Sequence, residues 1–310
     1  MEEVLKVVRE LGLPEGDAYE LPDSQLRFPD GCHYRIEVSG VERPEVLEAL
    51  VDESDKRGVP VHRLISMVMG STLLDEKELR RFAEVAASAG MEVIVTPGPR
   101  APWDIGRQLA TPEGALSGIR YRGMDQLLHA VRDIMRCVKL GFRGFLVVDE
   151  GLLMILAKMK EKGLIPENTV LKMSIFAGHA NPAGCRVVEM LGASTVNPVG
   201  DLTLPALAAI RKAIKIPMDF HVYLFDSWGG FNRIYDAPDV ARMCAPVYFK
   251  IEPGPSVAQL YRQWAPPQHL AWLAREKVKY AEILIEIIRE KYPNVKVSGK
   301  APKDLAVPEV

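Results

Sequence analysis

Cysteine is scarce and scattered: the chain has four (Cys32, Cys137, Cys185 and Cys244), with no C-x-x-C among them. That spacing excludes a secreted disulfide framework and a zinc ribbon, and it points to reduced thiols in a cytoplasmic protein. No uncharged apolar run approaches the roughly 18 residues of a membrane-spanning helix. The first residues, Met1–Arg9, carry helical charges without an apolar stretch, so no signal peptide is expected. Neither sign of charge dominates, since 39 Lys plus Arg face 41 Asp plus Glu for a net of −2. No global field therefore exists to gather nucleic acid or an anionic membrane. Also missing are a Walker A loop, a G-x-S-x-G elbow, an H-E-x-x-H pair, and a G-x-G-x-x-G after the first strand.

What is present is an ordinary globular composition, 48% hydrophobic and 26% charged over 310 residues. Strand-like runs recur at 33–38, 61–67, 91–96, 144–148, 170–176, 195–199, 218–225 and 246–251. Amphipathic stretches at 42–57, 75–89, 126–140, 152–162, 183–191 and 204–214 separate them, and several end in a glycine suited to a helix C-cap (Gly58, Gly90, Gly141, Gly163, Gly192). Eight strands alternating with helices predict an α/β fold of the (β/α)8 TIM-barrel type, in preference to a doubly wound sheet. Residues 1–31 read as an extension covering the barrel bottom, 32–268 as the barrel, and 269–310 as a long C-terminal helix and tail. That last helix also offers a surface for a homodimer.

Strand alternation predicts an unusual interior. Arg35 and Glu37 share one parity of strand one, Lys172 and Ser174 of strand five, Asp219, His221 and Tyr223 of strand seven, and Tyr248, Lys250 and Glu252 of strand eight. Asp149 and Glu150 end strand four. If the apolar parity packs on the helices, the lumen is charged, and buried charges must pair, hold a metal or face a wet cavity. A structural ion-pair network and a functional pocket both satisfy that demand. Within a pocket, Lys172 or Lys250 could form a Schiff base. Glu37, Asp149, His179, His221 and Glu252 could instead hold a divalent metal in a mixed N/O site.

The loops at the strand C-termini add candidates. The long segment 97–123 carries Arg100, Trp103, Arg107, Arg120 and Arg122, and reads as a lid with forked donors for an anion. After strand five come His179 and Asn181, the latter equally suited to capping the next helix. After strand seven, Gly229-Gly230 could bring backbone N–H groups to a phosphate.

The cadence Gly192-Ala-Ser-Thr-Val-Asn197, Asp201-Leu-Thr-Leu-Pro through Arg211, and Ile216-Pro-Met-Asp-Phe-His-Val-Tyr223 resembles short, single-barrel members of the peptidase U32 family, over residues 33–255. The resemblance implies a barrel and, by family, a hydrolase. Branches of the family assist hydroxylation reactions, and some carry an iron–sulfur cluster. The family signature runs from a strand-seven Glu through a Gly into closely spaced cysteines. Here His221 stands at the Glu, and Asp226-Ser-Trp-Gly-Gly230 replaces the cysteine stretch. Cys185 and Cys244 do not reproduce the cluster spacing, which argues against an iron–sulfur centre.

The sequence thus points to a barrel enzyme of U32 type acting on a small anionic or peptide-like substrate. Glu37, Asp149, Lys172, His221, Lys250 and Glu252 are its expected catalytic floor. Arg35, Arg100, Trp103, His179, Asn181, Tyr223, Gly229 and Gly230 are its expected substrate contacts. A lyase on an organic acid and a non-catalytic binder of an anionic metabolite are the alternatives.

Overall fold

The computed structural model describes residues 1–68, 70–98, 120–261 and 263–310, with Val257 and Ala258 described as backbone alone. Arg100, Trp103 and Arg107 lie outside the described residues, and with them most of the expected lid.

Eight parallel strands close into a barrel in sequential order, as expected. They are β1 (Tyr34–Ser39), β2 (Arg63–Ser66), β3 (Glu92–Val95), β4 (Gly144–Val147), β5 (Val170–Met173), β6 (Thr195–Val196), β7 (Met218–Tyr223) and β8 (Val247–Ile251). An N-terminal helix α1 (Glu2–Glu10) precedes them, and the crossover helices are α2 (Pro44–Arg57), α3 (Glu76–Ala89), α4 (Gly123–Lys139), α5 (Glu150–Glu161), α6 (Pro182–Met190), α7 (Leu204–Ala213) and α8 (Ala237–Met243). A single turn, α9 (Val257–Leu260), and the long α10 (Pro267–Lys291) follow β8. No helix among the described residues is long and apolar enough to cross a membrane.

The outward parity of each strand is aliphatic or aromatic (Ile36 and Val38, Leu64, Val93, Phe145, Met173), and it packs on the helices as one continuous core. Helix ends follow local chemistry. Asp75 and Glu78 form a reciprocal capping box at the start of α3, and Asn181 and Thr203 cap α6 and α7.

Both ends of the chain lie across the N-terminal mouth of the barrel. Phe28 meets Tyr248 edge-on at 5.1 Å and lies under the Arg35 guanidinium at 4.1 Å. From the other end, Val297 bridges to Tyr34, the Ala306 N–H donates to Glu92 at 2.9 Å, and the Glu309 N–H donates to the Gly141 carbonyl at 2.9 Å. The bottom is thus crossed by both the N-terminal extension and the C-terminal tail.

Candidate active site

The strand registers set the lumen charges side by side. Glu37 pairs with Arg63 and Lys250, Lys172 with Thr195, Asp219 with Tyr248, and His221 with Lys250. Three tiers result. In the lowest, Arg35 makes a bidentate pair with Asp304 at 2.7 and 2.8 Å and reaches Ser298 at 3.1 Å. Arg35 points to the bottom because it lies two residues nearer the strand's N-terminus than Glu37. It is held there by the tail and takes no part in a site at the upper mouth, contrary to the expectation that it contacts substrate.

The middle tier is a closed ionic knot. The Arg63 guanidinium donates to both Glu37 and Asp219 and stacks 3.4 Å over the Tyr248 ring. Lys172 Nζ lies 3.0 Å from Glu37 and 2.7 Å from Asp219. All four ionic side chains are inaccessible. Burial alone would raise the Glu37 carboxyl, but Arg63, Lys172 and Lys250 outweigh it and hold it well below its ordinary value. Burial, reinforced by Arg63, pushes the Lys172 amine down to about 8 against the pull of Asp219 and Glu37. Arg63 and Asp219 are the members that the sequence reading left out of the site. The charge on β2 was readable from the same parity as Ile65, but a lone arginine in a short strand gave no reason to prefer the inward face.

The upper tier faces the C-terminal mouth, where barrels place their chemistry. His221 Nε2 lies 2.9 Å from Glu252 Oε2, Lys250 Nζ is 3.4 Å from the same oxygen, and Asn197 Nδ2 is 3.4 Å from His221 Nδ1. Burial and Lys250 push the His221 imidazole below its usual value, so the neutral ring donates from Nε2 to Glu252 and accepts from Asn197. For Glu252, burial acts upward but Lys250 and His221 outweigh it, leaving an ionised carboxylate. Lys250 and Glu252 line a cavity of about 30 Å³ with Thr96, Ser174, Phe176 and Tyr261. The buried Thr96 hydroxyl has no hydrogen-bond partner among the described residues. The rest of the lining is apolar: Ile65, Val68, Leu146 and Ile175. A volume of that size holds one water or the head of a substrate.

Lys277 of α10 adds a further buried cation at this end. Its ammonium donates to the Ser39 carbonyl, and burial pushes it down to about 8 despite Glu252 and Glu42. Nothing in the alternation pattern reveals it, because it enters from a helix rather than a strand.

Other expected members are elsewhere. Asp149 does not enter the lumen; it caps α5, accepting from the Leu152 N–H at 3.1 Å, because the chain turns into the helix as β4 ends. His179 lies 3.1 Å from Glu150, which also meets Arg120 at 3.3 Å, in a separate half-buried cluster after β4 and β5. Burial lowers the His179 imidazole against the opposing Glu150 charge. Asn181 is occupied as the α6 cap, accepting from the Gly184 N–H at 2.9 Å. Tyr223 leaves the lumen parity, because the β7–β8 register shifts between His221 and Tyr223. A one-residue slip turns a side chain to the other face, so Tyr223 packs on Tyr280 of α10 at 5.2 Å while Leu224 takes the inward place. The Gly229 and Gly230 N–H groups close their own turn onto Asp226 and Phe225 and are not free for a phosphate. The five expected metal ligands therefore do not converge, and among the described residues no group of three or more His, Cys, Asp or Glu could hold a metal ion.

No family model matches the chain, and no curated protein matches it. Several solved structures align with it. A candidate fructose-1,6-biphosphate aldolase from Coccidioides immitis aligns at 12% identity over 84% of this chain and 92% of its own, with a TM-score of 0.51. A truncated 3-deoxy-D-arabino-heptulosonate 7-phosphate synthase from Thermotoga maritima aligns at 16% over 92% and 96%, TM-score 0.47. A U32 peptidase aligns at 16% over 77% and 98%, TM-score 0.44. The aldolase likeness, at a TM-score of 0.51 and 12% identity, bears on the fold alone and leaves the chemistry to the site.

Proposed function

We propose that this protein is a barrel enzyme that moves protons on a small carbonyl or carboxylate substrate seated over Lys250 and Glu252. The observation that carries the reading is the pairing of a cation and an ionised carboxylate, 3.4 Å apart, in a small cavity at the C-terminal mouth. Glu252 is the base. His221 fixes its orientation through the 2.9 Å contact and spreads its charge. Lys250 faces the oxygen on which negative charge collects when a neighbouring C–H is deprotonated, a form of electrostatic stabilisation that acts most strongly in a water-poor site. The knot of Arg63, Glu37, Lys172 and Asp219 supports this floor from below.

The direct test is exchange of substrate C–H for deuterium, followed by NMR over a panel of 2-oxo acids, aldehydes and ketones in D2O. Wild type should exchange at least one class, with Glu252→Gln slower by on the order of 10²–10⁴, the usual share of a general base. Exchange that persists undiminished in Glu252→Gln would sink the assignment. Peptide hydrolysis, implied by the U32 resemblance, requires Glu252 to activate a water instead, and a peptide panel on the same two proteins tests it. Lys250 also supports a Schiff-base lyase, for which borohydride with the same carbonyl panel should leave a covalent adduct on Lys250. A protein that binds panel members but exchanges, cleaves and traps none of them is a binder.

A further inference from the structure

A second concavity of about 630 Å³ opens among the loops that follow β5, β6 and β7. Its volume is in the range of small-molecule sites. Trp228 and Phe231 form its aromatic walls, with Val199 and Leu224 between them, and Asp201 is the only charged side chain among the described residues lining it.

The aromatic wall is fixed in advance. Trp228 lies flat on Phe176, with centroids 4.5 Å apart and planes within 2°, and Phe225 sits at 5.9 Å. Both phenylalanines thus stack on the indole, while the residue remains 38% exposed. Phe231 is closed against the β6 loop, since a Cβ at Gly200 would run into its ring. Asp201 is exposed and makes no hydrogen bond or ion pair among the described residues. Arg233 reaches the neighbouring Gly200 carbonyl at 2.8 Å and is engaged by Asp236 and the Phe220 ring.

Aromatic faces carry negative potential, strongest for indole, and they attract weakly hydrated cations; an unpaired carboxylate adds to the same preference. A metal ion would need several oxygen ligands, which this apolar lining does not offer. An anion would meet Asp201 with no cationic side chain among the described residues lining the groove. We propose that this groove binds an organic cation of the alkylated-ammonium class, seated on Trp228 and Phe231 with Asp201 beside it. The groove adjoins the lumen cavity, since Ile175 lines both, but none of its residues belongs to the Lys250–Glu252–His221 group.

The test compares choline with its uncharged isostere 3,3-dimethylbutan-1-ol by calorimetric titration and saturation-transfer NMR. Choline should bind saturably, and the alcohol at least ~5-fold more weakly, within the span of a cation–π contact. Trp228→Leu should weaken choline at least ~10-fold, Trp228→Phe by less, and Asp201→Asn by ~3-fold. Asp201 is exposed, so that variant stays informative if Trp228→Leu lowers stability. Equal affinity for the two compounds, absence of saturation by choline, or choline binding unchanged in both Trp228→Leu and Asp201→Asn would each overturn the proposal.

Discussion

His62 accepts the Ile36 N–H at Nδ1 (3.0 Å), which leaves Nε2 to donate to the carbonyls of Ser298 and Gly299 at 3.2 and 3.1 Å. Burial, with Arg35 nearby, pushes its imidazole down to about 4. The folded value lies below the unfolded one of roughly 6.5, so as pH falls the unfolded chain takes the proton first. The neutral ring's stabilisation is complete above about pH 6.5 and is lost as pH falls toward 4, by at most about 3 kcal/mol. Urea midpoints measured between pH 7.5 and 4 should show this decline in wild type and a flatter profile in His62→Gln, whose amide can serve both partners. Parallel profiles would remove the assignment. The same residue marks a limit of reading from sequence. Glu37, Lys172, His221, Lys250 and Glu252 were legible as inward charges because each alternates with bulky apolar neighbours on its strand. His62 and Lys277 are buried by partners far along the chain, which no local pattern encodes.

The helices and strands follow local rules closely enough that the eight strands and six of the seven crossover helices were readable within a few residues, the short α8 being the one not singled out. The exception is β7, where His221 keeps the expected face and Tyr223 does not. A bulge arises from pairing with β8, so the residues of β7 alone carry no signal for it. Helix stops show how local and distant terms separate. Gly58 and Gly90 both end their helices in the left-handed region, at φ of 65° each. A Cβ at Gly58 would meet nothing, whereas one at Gly90 would run into Ala301 of the tail. Gly58→Ala should therefore cost only the conformational term, about 1–2 kcal/mol. Gly90→Ala should cost about 1–3 kcal/mol more, the usual range for overpacking. Denaturant titration of the two variants, with Gly90→Ala combined with Ala301→Gly as relief, measures the difference. Equal losses at both sites would mean that the tail yields without strain.

For the whole molecule, the lumen divides the labour between two ends. The C-terminal mouth keeps a cavity beside Lys250 and Glu252, while the N-terminal mouth is partly plugged by Phe28 from one chain end and by residues 297–309 from the other, with a concavity of about 290 Å³ left between Phe28, Arg35, Tyr248 and Asp304. The barrel itself was legible because eight repeats of strand and helix leave few alternatives. The destination of the tail was not, since it depends on Asp304, Ala306 and Glu309 matching groups that lie far away in sequence. Arg35 is 1% exposed and relies on Asp304, with Asp30 more distant at 3.5 Å. Asp304→Asn should thus destabilise the fold by about 2 kcal/mol, less than the roughly 3–5 kcal/mol of a fully buried pair because Asp304 keeps partial contact with water. A cycle with Arg35→Met should recover most of that as coupling, since the methionine leaves no charge behind. The plug lies two tiers below Glu252, so deuterium exchange at the upper mouth should stay within about twofold of wild type in Asp304→Asn. A large loss of exchange with little loss of stability would instead tie the bottom of the barrel to its chemistry, and the division between the two ends would fall.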